Sequence, residues 1–159
     1  MNDRRRQDAY RSSPQQESLT SLWDGYLQGG YFDSEGYLKP EYVSRERVEP
    51  LVKAMCSDYK KRLTSNQIRR YFGHCRAIET RLKSTGVPWS SVVAEIKKLD
   101  IAAADGLGKE RPKIPKLFHD FIQCNVNAIK SQKDFLEGFL PHFEALVGFG
   151  TSHFVKERS

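Results

Sequence analysis

Arg69, Arg70, Arg76, Arg81 and Lys83 fall within fifteen residues of one another. From Lys60 to Lys83 there are eight Lys or Arg and a single acid, Glu79. The rest of the chain carries 18 basic and 19 acidic residues, so the whole formal excess of +6 sits in this stretch. A solvated helix usually interleaves both signs so that i,i+4 pairs form. Cations concentrated without acids predict a polyanionic partner. Guanidinium and ammonium groups on a rigid helix can hold phosphates without reading bases. A second, smaller cluster follows in DGLGKERPKIP, where Lys109, Arg111, Lys113 and Lys116 stand against Glu110.

Bond-making chemistry finds little support. His74, His119, His142 and His153 are scattered, with no H-E-x-x-H, and read as surface or core-edge residues. Cys75 is adjacent to His74, but neighbours in a helix point about 100° apart, so a Cys–His nucleophile is not indicated. Cys75 reads as a small core residue. The three cysteines, Cys56, Cys75 and Cys124, make no C-x-x-C, so neither a disulfide framework nor a zinc site is expected. There is no G-x-G-x-x-G, no P-loop and no G-x-S-x-G. Asp100 and Asp105 lie near a helix end, where exposed acids are common. The chain is expected to be no enzyme, to hold no cofactor or metal, and to keep reduced thiols in the cytoplasm. No apolar run reaches the length of a membrane span, and MNDRRRQDAY lacks the apolar core of a signal peptide.

The elements that carry the cations are helical. Thr64 and Gln67 make a T-x-x-Q capping box, with Leu63 and Ile68 at the positions of a hydrophobic staple. Ile68, Tyr71, Phe72, Cys75, Ile78 and Leu82 then recur at helical steps as one buried face. Gly86 is placed to end this helix, and Pro88 stops it resuming. Arg69, Arg76 and Lys83 fall along one flank of the seam; Arg70, His74 and Arg81 fall along the other. Tyr71, at the seam's edge, reads as core-edge packing ahead of base stacking.

Around this helix, residues 1–17 predict a disordered basic tail and 18–155 a single helical domain. LWDGYL supplies a short apolar patch, and YFDSEGYLKPEYV an aromatic loop turning at Ser34-Glu35-Gly36. Val48, Leu51, Val52, Met55 and Tyr59 mark a helix containing Pro50. A further helix is expected from about Ser90 to Ala104, followed by a break that includes Gly106 and Gly108. Leu117, Phe118, Phe121, Ile122, Val126 and Ile129 carry the next. The last should start near Ser131 and Asp134, kink at Pro141 and fray after Gly150. With no sustained two-residue alternation, the fold class is all-α, a bundle of five to six helices.

Three stretches in order resemble a known family. LTSNQIRRYF, YFDSEGYLKPEYV and the C-terminal FLPHFEALVGF are similar to segments of the small subunit of the type III-A CRISPR effector, the Csm complex, over roughly residues 31 to 150. Pro141 and the AAADG at 102 to 106 depart from the family's pattern. The resemblance implies a helical antiviral-defence protein without catalytic activity. It implies several copies stacked along the crRNA-containing filament, holding single-stranded target RNA beside the guide. Partners would then be the backbone and large Csm subunits and further copies of the chain itself. Arg69 matches the family Arg, Arg70 the basic position after it, and Gln67 the family Gln; Arg111 and Lys113 match a basic loop loosely.

Two other classes fit parts of the sequence. LTSNQIRRYFG also resembles a capped recognition helix of a helix-turn-helix DNA-binding regulator, although its first turn offers only Ser65, Asn66 and Gln67 to base edges. A helical adaptor for an acidic protein surface is the third. Whatever the partner, the cap is a stability element. Thr64→Ala is expected to cost about 1 kcal/mol; an unchanged circular-dichroism melting temperature would contradict it.

Overall fold

The structure, a computed structural model, describes residues 17 to 154 except Tyr59 and Lys109. All of the expected tail but Glu17 lies outside the described residues, as do Tyr59 and Lys109. Among the described residues there are six α-helices: α1 (Leu19–Leu22), α2 (Arg45–Cys56), α3 (Ser65–Ser84), α4 (Val93–Leu107), α5 (Lys116–Ala128) and α6 (Leu140–Gly150). Short 3₁₀ turns stand at Pro40–Val43 and Trp89–Ser91. No strand forms among the described residues; one isolated bridge joins Phe32 to Leu38. α4 packs along α5, α2 packs along α6, and α3 lies against both α6 and α4.

α3 forms where its signals put it. Thr64 Oγ1 accepts from the Gln67 N–H at 3.3 Å, and Gln67 Oε1 accepts from the Thr64 N–H at 3.1 Å. Leu63 and Ile68 are both fully buried, as the staple requires. Cys75, Ile78 and Leu82 continue the seam, and each aliphatic side chain there contributes on the order of 2 kcal/mol of burial. The two aromatics divide between neighbours: Tyr71 meets Phe118 of α5 edge-on at 5.1 Å, and Phe72 meets Phe143 of α6 at 5.2 Å. Gly86 follows the C-cap Thr85 with φ of 64°, the left-handed geometry that favours glycine after a helix end.

Several local expectations are corrected. α2 ends at Cys56, and Pro50 sits in its second turn, so the bond to the Glu46 carbonyl is missing there. Gly106 lies inside α4, not in the break. The last helix is divided: a π-helical turn spans Asp134–Phe139, and Pro141 enters the first turn of α6. A one-turn widening of the hydrogen-bond ladder thus precedes Pro141, where the irregularity was expected. Beyond Gly150 the chain does not fray through residue 154; Phe154 N–H donates to Gly150 O at 3.0 Å and its ring packs on the core.

The aromatic N-terminal segment is fastened by a buried polar chain. Gly138 in the π-helical turn admits the Tyr31 ring; a Cβ there would lie 2.6 Å from Tyr31 Cγ. The Tyr31 hydroxyl donates to Asn125 Oδ1 at 2.8 Å, and Asn125 Nδ2 donates to Tyr26 Oη at 2.8 Å. His142 Nδ1 lies 2.6 Å from the Tyr42 carbonyl, which can only accept, so Nδ1 carries the proton. Nε2 is then the acceptor for the Tyr26 hydroxyl at 2.7 Å. His142, expected at the surface or core edge, is fully buried, and burial pushes its pKa down to about 4. Between pH 6.5 and 4 the unfolded chain therefore binds a proton that the folded chain refuses, and stability falls as pH drops through that window. From pH 7 to pH 5 the loss should be about 2 kcal/mol by urea unfolding. His142→Gln should flatten the slope, and a wild-type profile already flat over that range would contradict the assignment.

Candidate nucleic-acid interface

The two shoulders of α3 face different neighbours and end up chemically unlike. On the α4 side, Arg70 and His74 line a cleft of about 780 Å³. Lys98 and Asp105 of α4 stand on its other wall, and Lys113 closes one end. His74 Nε2 sits 3.1 Å from the Glu95 carbonyl, tying the middle of α3 to α4. Lys98 pairs with the Glu95 carboxylate at 3.1 Å and holds its pKa below the usual range, with smaller contributions from His74 and Arg81. Arg70, His74 and Arg81, placed on one flank by their spacing, therefore all lie toward α4.

The loop after α4 is folded onto this cleft. Lys113 N–H donates to the Gly106 carbonyl at 2.8 Å, and the Lys113 carbonyl accepts from Gln67 Nε2. Ile114 is buried over Gly106, where a Cβ would come within 3.3 Å of Ile114 Cγ1. These contacts bring Lys113 to the Arg70 end of α3. Arg111 is exposed in the same loop but does not line the cleft.

On the α6 side the charge is largely compensated. Arg76 pairs with Glu79 at 2.8 Å and Glu144 of α6 at 3.4 Å, and its guanidinium lies over the Phe72 ring at 4.9 Å. Lys83 pairs with the same Glu79 at 3.1 Å. Burial works to raise the Glu79 pKa, and the hydrogen bonds from Arg76 and Lys83 overcome it and hold it low. The expectation that this helix makes no i,i+4 pairs fails here: one acid serves two cations. Arg69, Arg70 and Arg81 are exposed and form no ion pair among the described residues.

Cys75 is fully buried and desolvation pushes its thiol up to about 12, while His74 is engaged with α4. The pair is no nucleophile. Among the described residues no group of three or more His, Cys, Asp or Glu is arranged to hold a metal ion, and no helix is long and apolar enough to cross a membrane. Lys98 and the amide end of Gln67 were not singled out in the sequence. Lys98 reads as one polar residue on a helix surface, and nothing local announces that it faces Arg70.

The family model Csm2 Type III-A matches residues 46–154, a span from α2 to beyond α6 that includes both shoulders and the loop. The chain belongs to the Csm2 Type III-A family. It is thus a small subunit of the type III-A CRISPR complex, as the three resembling segments implied. Neither the curated proteins nor the solved structures gave a match. The helix-turn-helix reading is not favoured: the first turn of α3 is occupied by its cap and by the Lys113 loop, leaving little to enter a groove. Thiol chemistry separates core from surface. At pH 8 the native protein should take up iodoacetamide at exposed Cys124 alone, and rapid labelling of Cys75 would contradict its burial.

Proposed function

We infer that this chain is a non-catalytic RNA-holding subunit, acting in the cytoplasm as one helical domain over residues 18–155. It grips the backbone of single-stranded target RNA, beside the crRNA, on the α4-facing shoulder of α3. The observation that carries this reading is the meeting of Arg70 of α3 and Lys113 of the following loop on one open cleft, with Lys98 of α4, its charge shared with Glu95, on the other wall. Arg81 extends the same cationic surface along α3, Arg69 offers an exposed cation on the helix's other flank, and Arg111 stands exposed in the loop. Cations on rigid elements neutralise phosphates without reading bases, so sequence choice rests with guide–target pairing in the assembled complex. Family membership supports the neighbours: backbone and large Csm subunits, with further copies stacked along the filament.

Arg76 and Lys83 contribute less in this reading, because their charge is already shared with Glu79 and Glu144. Four engaged cations give a log–log salt slope of about −3 on single-stranded RNA. Arg70→Ala should make that slope shallower by about 0.7 and weaken binding roughly three- to fivefold at 0.15 M salt, for any RNA sequence. Arg69→Ala should behave similarly, and Arg76→Ala should have the smaller effect. Fluorescence anisotropy over a salt series measures all three. Preference for one duplex DNA sequence, or a flat salt dependence, would contradict the proposal.

A further inference from the structure

The Gln67 side chain is used at both ends. Its oxygen closes the capping box with the Thr64 N–H, and its amide nitrogen donates to the Lys113 carbonyl 46 residues further on. The Lys113 residue is held on its other side as well, by its own N–H on the Gly106 carbonyl at 2.8 Å. Ile114, next in the chain, is buried over Gly106. The main chain at 113 is therefore fixed while its side chain remains exposed at the cleft. Arg70 stands three residues after Gln67 on the same helix, so a single amide relates the position of one cation to that of another. A cap alone does not require this arrangement, since glutamate serves a capping box as well as glutamine does. What glutamate cannot do is donate to a carbonyl.

We propose that Gln67 is a positioning residue for RNA binding, holding the loop at Lys113 and Ile114 against α3 so that Lys113 and Arg70 engage the same stretch of phosphate backbone. The inference rests on the proposed RNA-holding role and adds to it a residue that carries no charge. A preorganised cation loses less freedom on binding than one on a loose loop, so releasing the loop should cost affinity even though every cation is still present.

Gln67→Glu separates the two functions of the side chain, because the cap survives and the donation does not. Its melting temperature should stay close to wild type, in contrast with Thr64→Ala. Limited trypsin digestion should cut the Lys113–Ile114 bond faster than in wild type, which reports loop release without any RNA. Binding to a single-stranded RNA should weaken roughly three- to fivefold at 0.15 M salt, about as much as for Lys113→Ala, the loss of one phosphate contact. The double substitution should be no weaker than Lys113→Ala alone. Additive losses would overturn the proposal, since the new carboxylate would then be acting by charge repulsion and not through Lys113. Unchanged trypsin cleavage, or faster cleavage with unchanged RNA affinity, would overturn it too. Failure of the unsubstituted protein to bind RNA would defeat the RNA-holding reading itself, and the protease comparison would still report on the clasp.

Discussion

The apolar seam of α3 constrains everything that the helix displays. Ile68, Cys75, Ile78 and Leu82 must be covered, and α6 and α4 cover them from two sides. With Tyr71 sent to Phe118 and Phe72 to Phe143, the helix cannot rotate about its axis without exposing a large ring. Its two polar shoulders are thereby fixed in direction. One shoulder faces α4 and a loop that brings a cation; the other faces α6, which brings a carboxylate. The difference between a cleft lined by Arg70 and Lys113 and a compensated edge follows from which neighbour each shoulder meets.

Charge at this interface is a matter of allocation more than of number. A single acid in the basic stretch would hardly matter if it were fully exposed, where ion pairs contribute little. Glu79 is 16% exposed at its side chain and takes both Arg76 and Lys83, so it removes two cations from the available set. Arg76 also reaches Glu144 and covers Phe72, which makes it a fastening between α3 and α6. Arg69, Arg70 and Arg81 keep their full charge toward solvent. Burial of the polar chain from Tyr31 through Asn125 and Tyr26 to His142 serves a different end: it anchors the aromatic segment to α5 and α6, well apart in sequence from the cations.

The fold was largely legible because its signals are local. The capping box, the staple, the seam of α3 and the glycine after its end are all readable within a few residues, and each stands as read. The π-helical turn was not legible: the Tyr31 ring is seated on its Gly138, a contact spanning more than a hundred residues that nothing local announces. Pro141 announced an irregularity but not its form. Phe154 looked like part of a loose end because the cavity it fills over Gly150 belongs to a distant pairing with α2. For the interface, the sequence identified the basic helix and the basic loop, and the resemblance joined them. Glu79 stands three residues after Arg76 and four before Lys83, so that neutralisation was local; the second contact of Arg76 depended on Glu144 and the opposite wall of the cleft on Lys98, both ordinary charged residues on helix surfaces until the helices pack.

Short single-stranded RNA carrying 4-thiouridine, crosslinked to the isolated chain and to the assembled complex and mapped by mass spectrometry, tests the account most directly. Crosslinks should concentrate on the exposed side of α3 between residues 66 and 81 and on the loop around Lys113, in both preparations. Crosslinks confined to α2, α5 or α6 would contradict it, whatever the affinity of the complex.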